Sequence, residues 1–399
     1  MQKLSERTAG FTDSLIRRMT RISLRYGAVN LSQGFPDFEP PREILDRLAQ
    51  VAHEDFHQYS VTWGAQNFRE ALAEKQSRYM GFGIDPDTEI VATCGSTEAM
   101  MAAMMTVTDP GDRVVIFSPF YENYSADTIL CGAEPIYVPL VPPDFRFDPD
   151  VLEAAFRLRP KALVLCNPSN PCGKVFTREE LLTIASLAEK YDVYVITDEV
   201  YEHIVYAPCR HTYFASLPGM RERTVSCSSL SKTYSVTGWR LGYIIAPPEI
   251  IDRAKKVHDF LTVGAAAPLQ EAIIPGLRFG QDYYDALLEK YTRKRELFLR
   301  GLDDLHIAHN NPEGAYYVLV DISEFGYDSD LEFCEVMARE VGVAAVPGSG
   351  FFREPVNNLI RFHFAKKDET LCEALNRLDS LRERIPAHRR LGISSVQRA

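Results

Sequence analysis

The stretch Cys227-Ser-Ser-Leu-Ser-Lys-Thr-Tyr-Ser-Val-Thr-Gly-Trp-Arg-Leu-Gly-Tyr243 decides how the rest of the chain is interpreted. Residues 223–228 alternate β-branched and small side chains, and residues 242–246 form a short apolar run. Both patterns predict strands. We therefore expect Lys232 on the connection between two strands.

Lys232 lies among neutral hydroxyl side chains, with Arg240 eight residues further along the chain. Nearby positive charge and partial burial both disfavour the ammonium form, so we expect its pKa to be lowered. A lysine that forms a Schiff base needs such a pKa. Ser229, Ser231 and Arg240 offer two hydroxyls and a guanidinium, which are groups that bind phosphate. The alternative is a polar loop with an ordinary solvated lysine, since short motifs also match by chance.

The composition is that of a soluble globular protein. With 399 residues, of which 46% are hydrophobic and 25% charged, the chain is long enough for two domains. The net charge of −11 argues against nucleic acid or an anionic membrane as a partner, because both attract basic surfaces. No apolar run is long enough to span a membrane, and residues 1–10 lack a signal-peptide core.

The cysteines and histidines show no pattern typical of a metal site. The eight cysteines form no Cys-x-x-Cys pair, and the nine histidines are isolated from one another. We expect no metal, reduced cysteines, a cytoplasmic location and small-molecule chemistry.

From residue 89 onward, strand and helix patterns alternate. Predicted strands are 89–93, 113–118, 134–138, 162–166 and 193–197, and the helices between them are 98–107, 120–131 and 178–191. This rhythm indicates a mostly parallel sheet covered on both faces, with ligands at the carboxyl ends of the strands. Outside it we expect helices at 14–26, 42–54, 67–80, 249–261 and 281–302, and strands at 314–321 and 359–365. The basic tail 382–399 lacks apolar periodicity, and we expect it to be loosely ordered.

Gly95, Ser96 and Thr97 lie between a predicted strand and a predicted helix. Free amide groups and the positive end of the helix dipole point at the same place there, so these residues are expected to bind an anion. Simple capping of the helix by Ser96 or Thr97 is the alternative.

Three further motifs follow predicted strands: Pro119-Phe-Tyr121, Asn167-Pro-Ser-Asn-Pro-Cys-Gly173 and Asp198-Glu-Val-Tyr201. Each also has an ordinary interpretation, as packing, as a turn or as an acidic strand end.

Arg361 is the only arginine of an otherwise apolar predicted strand, and its burial requires an anionic partner. That partner is either a ligand or an Asp or Glu of the chain.

The sequence around Lys232 and Arg240 resembles the lysine motif of the class I and II aminotransferases, pyridoxal-phosphate enzymes of fold type I. The motifs from Gly34 to Arg361 occur in the order of that family, so the resemblance covers nearly the whole chain. It implies that Lys232 holds the cofactor as a Schiff base and moves the proton from the substrate Cα. It also implies that Asp198 keeps the pyridine nitrogen protonated, which makes the ring a stronger electron sink.

The resemblance implies binding roles for the other matching residues. Tyr121, with Phe120 as the rival, would lie against the pyridine ring, and Asn170 and Tyr201 would hydrogen-bond its phenolate oxygen. The phosphate would be bound by Gly95, Ser96, Thr97, Ser229, Arg240 and Tyr59 of the neighbouring subunit. Gly34, Asn170 and Arg361 would contact the substrate, with Arg361 on its α-carboxylate.

The fold implied is α/β, with a large domain built on a mostly parallel seven-stranded sheet between helices. A smaller α+β domain would be made from both termini. The expected division is an N-terminal arm and part of the small domain at 1–40, a large cofactor-binding domain at 41–284 and the rest of the small domain at 285–399. The resemblance also implies a homodimer with shared active sites.

The implied activity is transfer of an amino group from an L-amino acid to a 2-oxo acid by a ping-pong mechanism. Carbon–sulfur β-elimination or cyclisation on the same fold would use the same residues, and a non-catalytic protein with this fold is a further alternative. The donor and acceptor stay open, because Gly-Phe-Pro-Asp-Phe at 34–38 resembles family members that act on aromatic amino acids or kynurenine as well as others that act on aspartate or glutamate. Phe11, Trp63 and Phe351 are candidates for an apolar side-chain pocket or, equally, for the core. No second arginine for a distal carboxylate is evident, which slightly disfavours a dedicated dicarboxylate enzyme, but glutamate with 2-oxoglutarate remains a reasonable co-substrate pair.

Overall fold

A seven-stranded sheet organises the fold in this computed structural model, which describes residues 3–387. The strands of this part are β1 Val29–Asn30, β2 Ile90–Thr93, β3 Arg113–Ser118, β4 Glu134–Pro139, β5 Ala162–Cys166, β6 Tyr194–Asp198, β7 Thr224–Ser229, β8 Gly242–Ile245, β9 Tyr317–Asp321, β10 Val343–Ala344, β11 Val346–Pro347 and β12 Leu359–His363. The α-helices are α1 Leu15–Tyr26, α2 Arg42–Val51, α3 Gln66–Met80, α4 Ser96–Val107, α5 Asn123–Leu130, α6 Pro149–Arg157, α7 Arg178–Tyr191, α8 Pro248–Thr262, α9 Ala267–Ala272, α10 Ile274–Leu277, α11 Gln281–Asp304, α12 Asp330–Glu340, α13 Asp368–Leu378 and α14 Leu381–Arg384.

The strand order of the large sheet is β2-β8-β7-β6-β5-β3-β4. Neighbouring strands from β7 to β4 are parallel, whereas β8 is antiparallel to both β7 and β2. All strands except β8 therefore point the same way, which confirms the mostly parallel α/β sheet predicted from the sequence. Their carboxyl ends meet at one edge of the sheet.

The near-continuous apolar strands are explained by burial on both faces. In β3, Val114 and Ile116 pack into one apolar cluster, while Val115 and Phe117 pack into another on the opposite face. Successive side chains of a strand point to opposite faces, so a strand covered on both sides must be apolar throughout. Helices α4 and α8 contribute to the first cluster, and α6 and α7 to the second.

The connection between β7 and β8 carries Lys232. The chain reverses over residues 230–241, so β8 returns beside β7 with Ser229 opposite Gly242. Gly242 is also opposite Thr93 of β2. This register brings the residues after β2 to the same place as the Lys232 loop.

Residues from the two termini pack together on a further apolar cluster, separate from the two that cover the large sheet. Strand β1 pairs with β10, and β9, β11 and β12 form a three-stranded antiparallel sheet. Met19 and Leu31 lie in the same cluster as residues of α11, α12 and α13.

Three expectations need correction. The helix expected at 120–131 spans Asn123–Leu130, and Phe120 lies before it, with its N–H donating to Phe351 O at 2.8 Å. The helix expected at 98–107 begins at Ser96. Arg382 lies in α14 and forms an ion pair with Glu324 at 2.8 Å, so the start of the tail is ordered. Residues 388–399 of that tail lie outside the described residues.

No helix within residues 3–387 is long and apolar enough to cross a membrane.

Candidate active site

A cavity of about 450 Å³ lies at the carboxyl edge of the large sheet and extends to β12 and the N-terminal segment. Most of the residues predicted from the sequence line it: Gly34, Ser96, Thr97, Tyr121, Asn170, Asp198, Tyr201, Ser229, Ser231, Lys232, Arg240 and Arg361. Parallel strands explain this gathering, because loops that follow neighbouring parallel strands meet at one edge.

Lys232 is partly buried and donates a hydrogen bond from Nζ to Gly34 O at 3.2 Å. Burial, together with the positive charges of Arg240 and Arg361, lowers the Lys232 pKa to about 8, while Asp198 opposes the shift. The change has the direction expected from the sequence. A neutral amine is therefore accessible near physiological pH.

The start of α4 and the Lys232 loop form a cradle of donors. Gly95 precedes α4 without a side-chain cap and has φ +85°, and a Cβ there would collide with the Arg240 guanidinium. Ser96 lies inside the first turn, so the capping alternative does not apply. The Ser231 hydroxyl is buried and has no hydrogen-bond partner within residues 3–387. Amide groups at a helix start, hydroxyls and a guanidinium are suited to a phosphate group.

Asp198 and Tyr201 also line the cavity. Tyr124 Oη donates to Asp198 Oδ2 at 2.7 Å. Burial raises the pKa of the Asp198 carboxyl, and the hydrogen bond from Tyr124 opposes this rise. A positively charged N–H group beside the carboxylate would stabilise its ionised form. Tyr201 Oη lies 2.8 Å from Tyr317 Oη.

Tyr121, rather than its neighbour Phe120, faces the cavity. Phe120 stacks on Tyr137 with ring centroids 5.4 Å apart, whereas Tyr121 is among the lining residues. This placement agrees with the choice made from the sequence.

Arg361 is 1% exposed and has no carboxylate partner within the described part of the chain. Its Nη1 donates to Asn170 Oδ1 at 2.6 Å and its Nη2 to Ser32 O at 3.0 Å, while Nε has no partner there. The guanidinium carbon lies 4.2 Å from the Tyr317 ring centroid and 4.5 Å from that of Phe351. The alternative of a salt bridge to Asp or Glu is thus wrong. The site is suited to an external carboxylate.

The remaining sequence candidates lie away from the cavity or at its margin. Tyr59 is 86% exposed, and Phe11 is exposed as well. Trp63 packs against Lys255, with Nζ 4.7 Å from the ring centroid. The proposed apolar pocket of Phe11, Trp63 and Phe351 is therefore not formed, and Phe351 instead contacts Arg361.

Several cavity residues were missed by sequence reasoning. Tyr124 bonds Asp198, Tyr316 Oη donates to Gly34 O at 2.9 Å, and Tyr317 contacts both Tyr201 and Arg361. The adjacent tyrosines 316 and 317 at the start of β9 were the available signal, but an aromatic pair at a strand end does not indicate which residues it contacts.

Comparison with known proteins identifies the family. Residues 26–378 match the family model described as aminotransferase class I and II. The solved structure of N-succinyldiaminopimelate aminotransferase from Mycobacterium tuberculosis is 36% identical, with a TM-score of 0.91 over 95% of this chain and 100% of that one.

Two further relatives also carry transaminase names. Methionine aminotransferase of Escherichia coli is 37% identical over 92% of this chain and 96% of its own length. Kynurenine–oxoglutarate transaminase 3 of Mus musculus is 34% identical over 93% of this chain and 89% of its own length. The carbon–sulfur lyase alternative is therefore not favoured.

The cavity fits pyridoxal phosphate. The donor cradle at Gly95 and Arg240 with the unpartnered Ser231 hydroxyl suits its phosphate, the buried Asp198 carboxylate suits its pyridinium nitrogen, and the Lys232 amine suits its aldehyde. The chain belongs to the class I and II aminotransferases of fold type I and is a pyridoxal-phosphate-dependent enzyme that transfers amino groups.

Proposed function

We propose that this enzyme moves the amino group of an L-amino acid to a 2-oxo acid in two half-reactions at one site, in which Lys232 holds the cofactor and transfers the proton. The observation that carries the proposal is that the low-pKa amine of Lys232 and the buried, carboxylate-free guanidinium of Arg361 line the same cavity. An α-amino acid would present its carboxylate to Arg361 and its adjacent Cα–H to Lys232.

Arg361 binds the substrate α-carboxylate through a fork of charge-assisted hydrogen bonds. Asn170 and Ser32 accept hydrogen bonds from the same guanidinium and hold its plane in place. The rings of Tyr317 and Phe351 exclude water from it. These contacts orient Cα toward Lys232.

Lys232 takes up the Cα proton as a neutral amine. Its pKa of about 8 leaves roughly one tenth of the free amine unprotonated at pH 7. Gly34 O accepts a hydrogen bond from Nζ and positions the amine. When bound, pyridoxal phosphate supplies the sink for the electron pair left at Cα.

The other site residues bind and orient the cofactor. With pyridoxal phosphate bound, Asp198 would keep the ring nitrogen protonated, the Tyr121 ring would pack on the cofactor, and Asn170 and Tyr201 would donate to its phenolate oxygen. The Gly95 turn with Ser96, Thr97, Ser229, Ser231 and Arg240 would bind its phosphate. Support comes from their shared cavity and from the hydroxyl, amide and guanidinium donors they present.

The enzyme is a homodimer in which Tyr59 reaches the phosphate of the neighbouring subunit. Tyr59 is 86% exposed and Phe260 at the end of α8 is 90% exposed. The two segments are adjacent, since a His258 ring nitrogen hydrogen-bonds Thr62 O at 2.8 Å. Exposed apolar side chains next to each other are typical of a protein interface.

The dimer proposal is tested by mixing two inactive variants. A mixed dimer of Lys232→Ala and Tyr59→Phe chains contains one site with both native residues, so we expect it to regain tight cofactor binding at that site. A mixed dimer that does not regain tight cofactor binding would contradict the proposal. A monomer in size-exclusion chromatography with light scattering would contradict it as well.

We further propose the division into an arm at 1–40, a large domain at 41–284 and a small-domain part at 285–399, supported by the shared cluster of Met19, Leu31 and residues after 285. If limited proteolysis cleaved the chain within 41–284 earlier in time than at the proposed boundaries, the domain division would be contradicted. A cytoplasmic location is supported by the free cysteines of the described chain. Fractionation of cells of the source organism tests it.

The catalytic proposal is tested by the absorbance spectrum of the cofactor-loaded enzyme with a panel of amino acids. We expect the cofactor band to shift to the pyridoxamine form with some donors and to return with a 2-oxo acid. The Lys232→Ala variant should bind the cofactor, but its absorbance band should neither shift with amino acids nor return with a 2-oxo acid. Release of pyruvate and ammonia from a sulfur amino acid without the cycle would refute transamination.

A further inference from the structure

Arg17 of helix α1 lines the active-site cavity and lacks a partner. Its side chain is exposed and makes no ion pair or hydrogen bond with any residue of the 3–387 range. Two other arginines of the same helix are paired: Arg18 with Glu335 at 2.6 Å, and Arg21 with Asp13. Arg17 thus differs from Arg18 and Arg21 in lining the cavity without an ion pair to any residue of the 3–387 range.

The wall around Arg17 is mostly polar. Gln33 lines the same cavity and accepts a hydrogen bond from Thr20 at 3.0 Å, which fixes its side chain. Glu122 is a carboxylate in this wall, and it accepts a hydrogen bond from Ser14 at 2.6 Å rather than pairing with Arg17. A substrate side chain that extends from Cα toward α1 therefore meets a guanidinium that no protein carboxylate neutralises.

We propose that Arg17 is a specificity-determining residue that binds the distal carboxylate of dicarboxylic substrates, such as a five-carbon 2-oxo diacid and its amino acid. The inference rests on the proposed function, in which Arg361 binds the α-carboxylate. A dicarboxylate then contacts two arginines in one cavity, one fixed and buried and one exposed on a long flexible side chain. The sequence alone did not indicate a second arginine for a distal carboxylate, and Arg17 is the candidate that the cavity lining provides.

The exposure of Arg17 has a consequence for substrate range. An exposed guanidinium stays solvated when a substrate carries no distal charge, so monocarboxylic substrates lose little by its presence. A distal carboxylate gains a charge-assisted hydrogen bond, which corresponds to roughly a 10- to 100-fold preference. Arg17 would therefore add dicarboxylates to the substrates without excluding neutral ones.

The test compares kcat/KM of the holoenzyme for 2-oxoglutarate and for 2-oxohexanoate with one fixed amino donor. We expect Arg17→Gln to lower the value for 2-oxoglutarate about 10- to 100-fold and to leave that for 2-oxohexanoate within about twofold. Arg18→Gln is the matched control on the same helix and should change neither. An equal loss for both acceptors, no loss, or a wild-type enzyme active only on monocarboxylates would overturn the proposal.

A binding measurement provides a readout that does not need turnover. Glutarate titrated into the apoenzyme by calorimetry should bind more weakly to Arg17→Gln than to the wild type, whereas pentanoate should not discriminate between them. Unchanged glutarate binding would overturn the inference. Failure of the proposed function is distinct, because it would appear as a wild-type enzyme that transfers amino groups to neither class of acceptor or as full activity in an Arg361→Gln variant.

Discussion

Replacement of Arg361 by Met tests the central contact of the proposed mechanism. Met keeps an unbranched apolar side chain but offers no hydrogen-bond donor. The loss removes a fork of two charge-assisted hydrogen bonds to the substrate, each contributing about 1.5–3 kcal/mol. The two together correspond to about 3–6 kcal/mol, so kcat/KM should fall by roughly 10²- to 10⁴-fold.

The assay is the steady-state kcat/KM for an L-amino acid donor, measured beside Arg361→Lys. Lys keeps the positive charge but lacks the planar fork, so its loss should be intermediate. Urea denaturation controls for folding, because Arg361 also donates to Asn170 and Ser32 O. A primary amine without a carboxylate should react equally slowly with the wild type and both variants.

A fall in kcat/KM of less than about tenfold in folded Arg361→Met would refute the reasoning, since it would put the carboxylate contact below the energy of one charged hydrogen bond. An equal fall for the amine without a carboxylate would also refute it, because the loss would then not depend on the α-carboxylate.

Three other outcomes follow from the geometry. In the apoenzyme, acetylation of Lys232 should have a midpoint near pH 8, and Arg240→Gln should move this midpoint upward, because the guanidinium lowers the Lys232 pKa. Glu202→Ala should lower the free energy of unfolding in urea by about 3–5 kcal/mol, because it leaves Lys75, 1% exposed and 2.9 Å from Glu202, as a buried unpaired charge. Gly95→Ala should weaken binding of pyridoxal phosphate at least about fivefold, measured by fluorescence titration. The new Cβ would displace the Arg240 guanidinium, and the φ of +85° at residue 95 is unfavourable for alanine.

Each of these outcomes has a control. An acetylation midpoint that does not move in Arg240→Gln would contradict the electrostatic cause. Replacing Lys75 by Met together with Glu202→Ala should recover part of the stability, and a single-variant cost below about 1 kcal/mol would contradict the buried-charge argument. Gly111→Ala has a similar positive φ of +93° with no atom near its Cβ, so it should cost stability without weakening cofactor binding.

The strand endings and the motifs that follow them could be predicted from the sequence. Apolar runs of the β3 type specify strands buried on both faces, and parallel strands bring their following loops to one edge. Asp198 and Asn170 come after predicted strands, and Lys232 lies on a loop that joins two strands. Their roles were inferred from the resemblance of these motifs to those of the aminotransferase family.

Helix starts and tail boundaries were less predictable, because they depend on contacts outside the segment. The Phe120 N–H donates to Phe351 O, a contact 231 residues along the chain that the local pattern does not indicate. Arg382 becomes ordered through Glu324 rather than through apolar periodicity.

The sequence by itself therefore determined the α/β architecture, the family and the residues at the strand ends, since these depend on local periodicity and on motif order. Only the tertiary structure decided that Tyr124 bonds Asp198, that Tyr317 covers Arg361 and that Arg17 reaches the cavity. Arg361 and Asn170 are 191 residues apart in the chain, and their 2.6 Å contact exists because two separate sheets pack against the same cavity. Local pattern specifies which face of a strand or helix is apolar, but it carries no information about which distant side chain that face meets.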